Sequence, residues 1–560
     1  MRISFRVLQF IIIFSTVILA QNFTPVRAKN GMVVSASKIA SEVGVNILKE
    51  GGNAIDAAVA VGFALAVTYP SAGNIGGGGF MVIHFSNGKN TSIDFREKAP
   101  MQSHEKMYLD SSGNFLQSKS QQGEISAGVP GSVAGLIYAL EKYGTLPLKK
   151  VIKPAIELAE KGFKLDYRLA ESINFHYSDF IKYPSSAKIF TKNGKPLEEG
   201  DLFTQKDLAK TLKLIAKNGR NGFYRGEVAD KIVRQMKSSG GIITYEDLEN
   251  YNPVEREPLV STYKGYKIIT MGPPSGGGVI LIQSLNVLEN FEFNKDDWNS
   301  SEYIHRLTET FKYAFADRSK HLGDSDFYPV PLVELLNKDY AQRIFSQIGQ
   351  YAKPSSEIKP AEFPNYKENE ETTHYSVADK FGNVVSVTTT INSAYGSKIV
   401  VDGAGFLLNN EMDDFSAKPG EPNQFGLTGS YANKIEPGKR MLSSMTPTIV
   451  LRENKPILVL GSPGGSTIPT SVLQVIMNYL EFNMNIQEAV NAPRIHHQWL
   501  PDKIDYEERA IVKDVKENLI KKRHTIGSLR SLGRVDAIAI ENGIFFGATD
   551  PRGFGGAVGY

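Results

Sequence analysis

Two hydrophobic periods, helical and extended, alternate along this chain after an opening segment that follows neither. Met1 to Ala20 carries Arg2 and Arg6 and then an apolar run of 14 residues from Val7, the charged start and apolar middle of a secretory signal. The run is short of the ~20 residues a spanning helix needs, and nothing later reads as transmembrane. Cleavage near Ala20 and export to a periplasm or the exterior are expected. Beyond it, Ser37 is placed to cap a helix through Lys49, and Asn53 with Asp56 opens an Ala-rich one to about Thr68. Helical spacing continues over 133–143, 148–161, 208–218, 227–238, 279–290 and 301–316. Phe80 to Phe85 and Thr91 to Phe95 form a strand pair around Ser86-Asn87-Gly88.

From Pro329 to Glu370 the chain is polar and punctuated by proline, which predicts an exposed, mobile linker. Strand texture follows. Hairpins are predicted at 373–378 with 384–390, at 448–451 with 457–460, and at 535–540 with 544–548. They imply one largely antiparallel sheet, covered by helices at 469–481 and 512–522 to give layers of helix, sheet and helix. The number of domains stays open.

Composition narrows the chemistry. The 63 Lys and Arg against 60 Asp and Glu leave a dispersed charge of +3 in 560 residues, no basic field for nucleic acid or an acidic membrane. With no cysteine, thiolate nucleophiles, disulfides and thiolate zinc sites are excluded. The signatures of serine hydrolases, zincins and nucleotide-binding loops are absent. Nine scattered histidines, with only His496 and His497 adjacent, suggest structural roles and no metal site.

Two glycine runs differ in context. Gly76 to Gly79 leads into a strand and reads as tight backbone packing. Gly461-Ser462-Pro463-Gly464-Gly465-Ser466 joins a strand to a helix, so its N–H groups can converge on an oxyanion, on a phosphate, or merely turn the chain. At Glu371-Thr372-Thr373 a cut before Thr372 would free an α-amine of pKa near ~8 beside a hydroxyl, joining base and nucleophile in one residue. Taken alone, Thr-Thr at a strand start is usually just strand propensity.

A series of segments gives that reading weight: Glu50 to Ala57, Gly76 to Phe80, Asp94 to Pro100, Thr372 to Val377, Leu408 to Phe415, Leu442 to Met445 and Gly461 to Gly465. In this order they make the chain, from about Gly31 to Tyr560, resemble the γ-glutamyltranspeptidases, exported N-terminal-nucleophile hydrolases. The resemblance implies an α+β fold, a four-layer αββα sandwich built from a precursor that cuts itself between Glu371 and Thr372. Residues 21–371 would form a large subunit and 372–560 a small one, paired as a heterodimer.

By the same resemblance, Thr372 is the agent of cleavage and the catalytic nucleophile, oriented by Thr390, with Gly464 and Gly465 as the oxyanion hole. Arg96, Ser443 and Ser444 match the binders of the γ-glutamyl α-carboxylate; Asn392, Glu411 and Asp414 match the group around its ammonium. Glutathione and other γ-glutamyl compounds are the implied donors, water, amino acids or dipeptides the acceptors, and no cofactor or metal is called for. Residues 419–438 resemble a covering loop, in which Phe425 stands where several bacterial members have tyrosine: the aromatic shield is kept without its hydroxyl. Two other functions bear on the chain, a glutaryl or cephalosporin acylase of the same family, and an inactive exported binding protein.

Overall fold

The computed structural model describes residues 23–361, 373–418, 424, 426–427 and 431–560. The signal reading of Met1 to Ala20 and the roles expected of Glu371, Thr372 and Phe425 lie outside the described residues. The strands of the two large sheets, in chain order, are β1 (Val26–Ala28), β2 (Gly31–Ser35), β3 (Gly78–His84), β4 (Asn90–Asp94), β5 (Val254–Arg256), β6 (Leu259–Tyr263), β7 (Tyr266–Thr270), β8 (Thr373–Asp379), β9 (Val384–Thr390), β10 (Thr448–Arg452), β11 (Lys455–Gly461), β12 (Asp536–Glu541), β13 (Ile544–Ala548) and β14 (Gly556–Gly559). They make two seven-stranded antiparallel sheets, ordered β14-β2-β8-β9-β3-β4-β5 and β1-β13-β12-β11-β10-β7-β6. The three expected hairpins form, but β8–β9 lies in the first sheet and the other two in the second. The single sheet expected from them is therefore two.

The reason is in the alternation of side chains. In β2, Val33 packs outward with Val377, Val385 and Val387 against helices, while Met32 and Val34 point inward to meet Ile269, Ile449, Val459 and Ile538 of the other sheet. Strands apolar on both faces must be covered on both faces, and a second sheet supplies one cover. Helices α1 (Lys38–Lys49) and α2 (Ala54–Thr68) cover the first sheet; α3 (Gly277–Leu288), α4 (Ser301–His321), α5 (Lys338–Gln347) and α6 (Ile468–Leu480) lie on the side of the second. All of α2 is buried, as an apolar helix without a polar face must be. Asn53 caps it in the expected box with Asp56, and Asp379 of β8 accepts from Ala54 N at 2.9 Å. Ser37 stands at the N-cap of α1 but makes no side-chain capping bond; its neighbour Ser35 bonds Ser41 at 2.7 Å instead.

The expected linker is largely folded. Residues 332–335 and α5 are helical, and Leu335, Ala341, Ile344 and Ile358 are buried against α3 and α4. Prolines and charges there face outward, and the buried positions are too widely spaced to show as a periodic run. Residues 362–370 of that stretch lie outside the described residues.

Candidate active site

Polar residues gather where β8 begins and β9 and β11 end. Thr373 pairs with Thr389, and Thr390 with Gly78. The inward positions that elsewhere are Val or Ile are here His374, Ser376, Ser386 and Thr388. His374 bonds Thr388 Oγ1 at 3.0 Å and Ser376 Oγ at 2.9 Å, while Ser376 and Ser386 donate to the carbonyls of Val459 (3.2 Å) and Leu460 (3.0 Å) in β11. Burial pushes His374 down to about 3, so it is a neutral tie between β8 and β9, while Ser376 and Ser386 link these strands to the second sheet. A Cβ on Gly461 would lie 2.4 Å from the His374 ring; glycine thus lets the end of β11 sit directly against the start of β8.

From there the chain turns through Gly464 (φ +131) and Gly465 (φ +59), into a 3-10 turn at Gly465–Thr467 and then α6. Positive φ at both glycines turns the backbone as the end of a helix approaches, an arrangement suited to holding negative charge. Gly76 to Gly79 pack as expected: a Cβ on Gly77 would come within 1.9 Å of Thr390 O, and one on Gly78 within 2.5 Å of Glu97 Oε2.

Thr390 is held on three sides. Its carbonyl accepts from Asn74 Nδ2 at 2.8 Å, its hydroxyl accepts from Asn392 N at 2.7 Å, and its β9 neighbour Thr389 donates to Gly78 O at 2.6 Å. Asn392 takes φ +66, which asparagine tolerates, and donates Nδ2 to Asn410 O at 2.9 Å. Asn409 bonds Gly128, Gly76 and the N–H of Glu411, setting the 3-10 turn Glu411–Asp414.

Arg96, fully buried, bridges these parts. It donates from Nη1 to Glu411 and from Nη2 to Asp414, from Nε to Met441 O at 3.1 Å, and lies 3.4 Å from Glu97. Three carboxyl groups thus surround one guanidinium. Burial raises all three above the usual carboxylate range against the pull of Arg96, Glu97 to about 7. Among the described residues, several buried polar atoms here have no hydrogen-bond partner: Glu97 Oε1, Asn392 Oδ1, Glu411 Oε2, Asp414 Oδ1 and Ser444 Oγ. Ser443 and Ser444 are both buried, and Ser443 closes the wall through its carbonyl, which accepts from Gly276 N at 2.7 Å. Such a cage, with acceptors and a hydroxyl beside a permanent cation, fits a small zwitterion.

Every described residue expected of the site therefore lies in one region around the strand ends. Sequence reasoning missed Asn74, Asn409, Glu97 and His374 as its supports. Asn74 stands before a glycine run and Glu97 beside Arg96, but neither position carries a periodic or spacing signal. It also missed one spacing among the histidines. His305 and Glu309 stand one turn apart on α4, and with His524 offer ligand atoms within 4.8 Å of one another. The three are already occupied: His305 bonds His524 at 2.8 Å and Gly349 O at 2.8 Å, and Glu309 pairs with Lys312 at 2.8 Å.

Residues 40–560 match the family model described as gamma-glutamyltranspeptidase. The glutathione hydrolase proenzyme of Escherichia coli (strain K12) is 50% identical over 533 residues, 95% of this chain and 92% of that protein. The crystal structure of a cephalosporin acylase from Bacillus halodurans superposes with a TM-score of 0.87 at 30% identity, covering 96% of this chain and 97% of that one. That of Helicobacter pylori γ-glutamyltranspeptidase has a TM-score of 0.59 at 51% identity, covering 60% of this chain and 99% of that one.

Proposed function

The chain belongs to the γ-glutamyltranspeptidase family, and from this premise we propose that Thr372 both cuts the precursor and carries the γ-glutamyl group. The activity is γ-glutamyl transfer and glutathione hydrolysis by a self-processed enzyme. In the precursor the Thr372 hydroxyl adds to the Glu371 carbonyl and the peptide nitrogen leaves, converting amide to ester; water then opens the ester. Residues 21–371 and 372–560 become the two subunits. The freed α-amine takes the hydroxyl proton as Thr372 attacks the γ-carbonyl of the donor. The oxyanion is met by Gly464 and Gly465 N–H, the amine departs with the proton, and water or an acceptor amine releases the acyl group.

The unpartnered atoms around Arg96 carry this reading. The donor's α-carboxylate takes Arg96, Ser443 and Ser444; its α-ammonium takes Asn392 Oδ1 and the facing oxygens of Glu411 and Asp414, filling a place that a shared proton occupies otherwise. A glutaryl or cephalosporin side chain lacks that ammonium, and three buried acceptors would then stay unpaired. Chain connectivity adds support, since Thr372 directly precedes Thr373 in sequence, and Thr373 stands at the strand end where Thr390 lies and near the turn that leads to Gly464. Residues 1–20 direct export and are removed; among the described residues no helix is long and apolar enough to cross a membrane.

Intact mass under denaturing conditions, with and without Thr372→Ala, tests the assignment. The wild type gives two polypeptides, the smaller starting at Thr372, and releases γ-glutamyl products from glutathione, while the variant stays whole. A wild type that stays whole and inactive would overturn it.

A further inference from the structure

Arg534 stands between the two halves of the reaction centre. Its N–H donates to Ser462 Oγ at 2.9 Å, and Gly533 before it abuts the turn, since a Cβ on Gly464 would lie 2.9 Å from Gly533 Cα. On the other side Nη1 donates to the Tyr69 hydroxyl at 2.8 Å, with the guanidinium 5.0 Å from that ring. Tyr69 leads into the loop whose Asn74 holds Thr390 O. The arginine therefore spans from the Gly464 turn to the loop behind Thr390.

Its chemistry is unlike that of the arginines around it. Arg96, Arg256, Arg494 and Arg552 each pair with a carboxylate within 3 Å. Arg534 has no carboxylate at ion-pair distance among the described residues, its Nε is buried without a partner, and its side chain is only half-buried. Of the nearby acids, Asp550 is held by Arg494 and Arg552, while Asp536 accepts from Thr549 through Oδ1 at 3.0 Å and keeps a buried Oδ2 without a hydrogen-bond partner among the described residues, beyond ion-pair distance of Arg534. Gly553 keeps the path of the side chain clear, because a Cβ there would lie 1.9 Å from Arg534 Cδ.

We propose that Arg534, braced by Tyr69, binds the carboxylate of the leaving or accepting amine, the C-terminal carboxylate of an amino acid or short peptide. The proposal rests on Thr372 and the Gly464 turn being the reaction centre. Arg96 is committed to the donor's own α-carboxylate, so a second carboxylate, outside the γ-glutamyl head, needs a second cation. A guanidinium is always charged and presents a planar pair of donors that matches it. The two residues of cysteinylglycine reach roughly 7 Å beyond the reacting nitrogen, about the length of an arginine side chain.

The test compares three donors: glutathione, glutathione with its glycine carboxylate amidated, and γ-glutamyl-p-nitroanilide, whose leaving group has no carboxylate. The wild type prefers glutathione over the amide by roughly ten- to a hundredfold in kcat/KM, the size of a hydrogen bond to a charged group. Arg534→Met removes the preference, mainly through KM, and leaves anilide hydrolysis within roughly twofold; Arg534→Lys keeps part of it. A wild type that treats glutathione and its amide alike overturns the proposal, however the variants fold. So does an Arg534→Met that is cut normally yet loses anilide hydrolysis in proportion, which would make Arg534 a support of the turn. A wild type inert towards all three donors overturns the Thr372 reading itself.

Discussion

Gly464 shows how narrowly the site is drawn at the scale of a residue. At φ +131, a Cβ would be strained and would also meet Thr467 Oγ1 at 2.5 Å. Gly464→Ala should turn its N–H away from the oxyanion and lower kcat by roughly 10²–10³ with little change in KM, measured on the anilide donor. Glu97 supplies a different readout. Burial raises its carboxyl to about 7, above the ~4.3 of an unfolded chain. Between those values the folded state holds a proton that the unfolded state has released, so Glu97 stabilises the fold below pH ~4.3 and that contribution is lost as pH rises through 7. Glu97→Gln should thus make the fall of Tm from pH 5 to pH 8 shallower, as calorimetry would show; an unchanged slope would contradict the assignment. Arg96, Glu411 and Asp414 were legible as a group because they sit in ordered segments that resemble a family. Asn74 was not, because its role comes from bonds to residues far along the chain, Ser132 and Thr390.

Among elements, the hairpins and most helices were readable from period alone, whereas their division into two sheets was not. Val33 and Val34 are equally apolar, and only the packed molecule tells which faces helix and which faces sheet. The segment from 329 to 361 failed for the opposite reason. Its apolar residues are sparse, but Ile344 is buried among Val287, Tyr313 and Ile358. Ile344→Ala should cost about 2–5 kcal/mol, the usual range for such a deletion in a core, and lower Tm clearly while glutathione turnover at room temperature persists. A linker would show no such loss. The inward polar run His374, Ser376, Ser386 and Thr388 was also hidden, since in sequence it looks like ordinary strand texture with high β propensity.

In the whole molecule the strands before residue 362 and those after 372 are interleaved. One sheet takes β2, β3, β4 and β5 from the first part and β8, β9 and β14 from the second; the other sets β1, β6 and β7 around β10 to β13. Cleavage between Glu371 and Thr372 should therefore leave the two polypeptides eluting together in native size exclusion and separating only in denaturant. Rapid dissociation on cleavage would contradict this arrangement.

The interleaving also gives maturation a direction in time. A precursor folds as a first-order event, with its strands tethered at high local concentration, whereas the cut protein, once denatured, must bring two chains together at the concentration of the solution. Refolding yield should rise with protein concentration for the cut enzyme and not for Thr372→Ala. Self-cleavage thus makes an enzyme whose contacts survive the cut but whose route back to them does not.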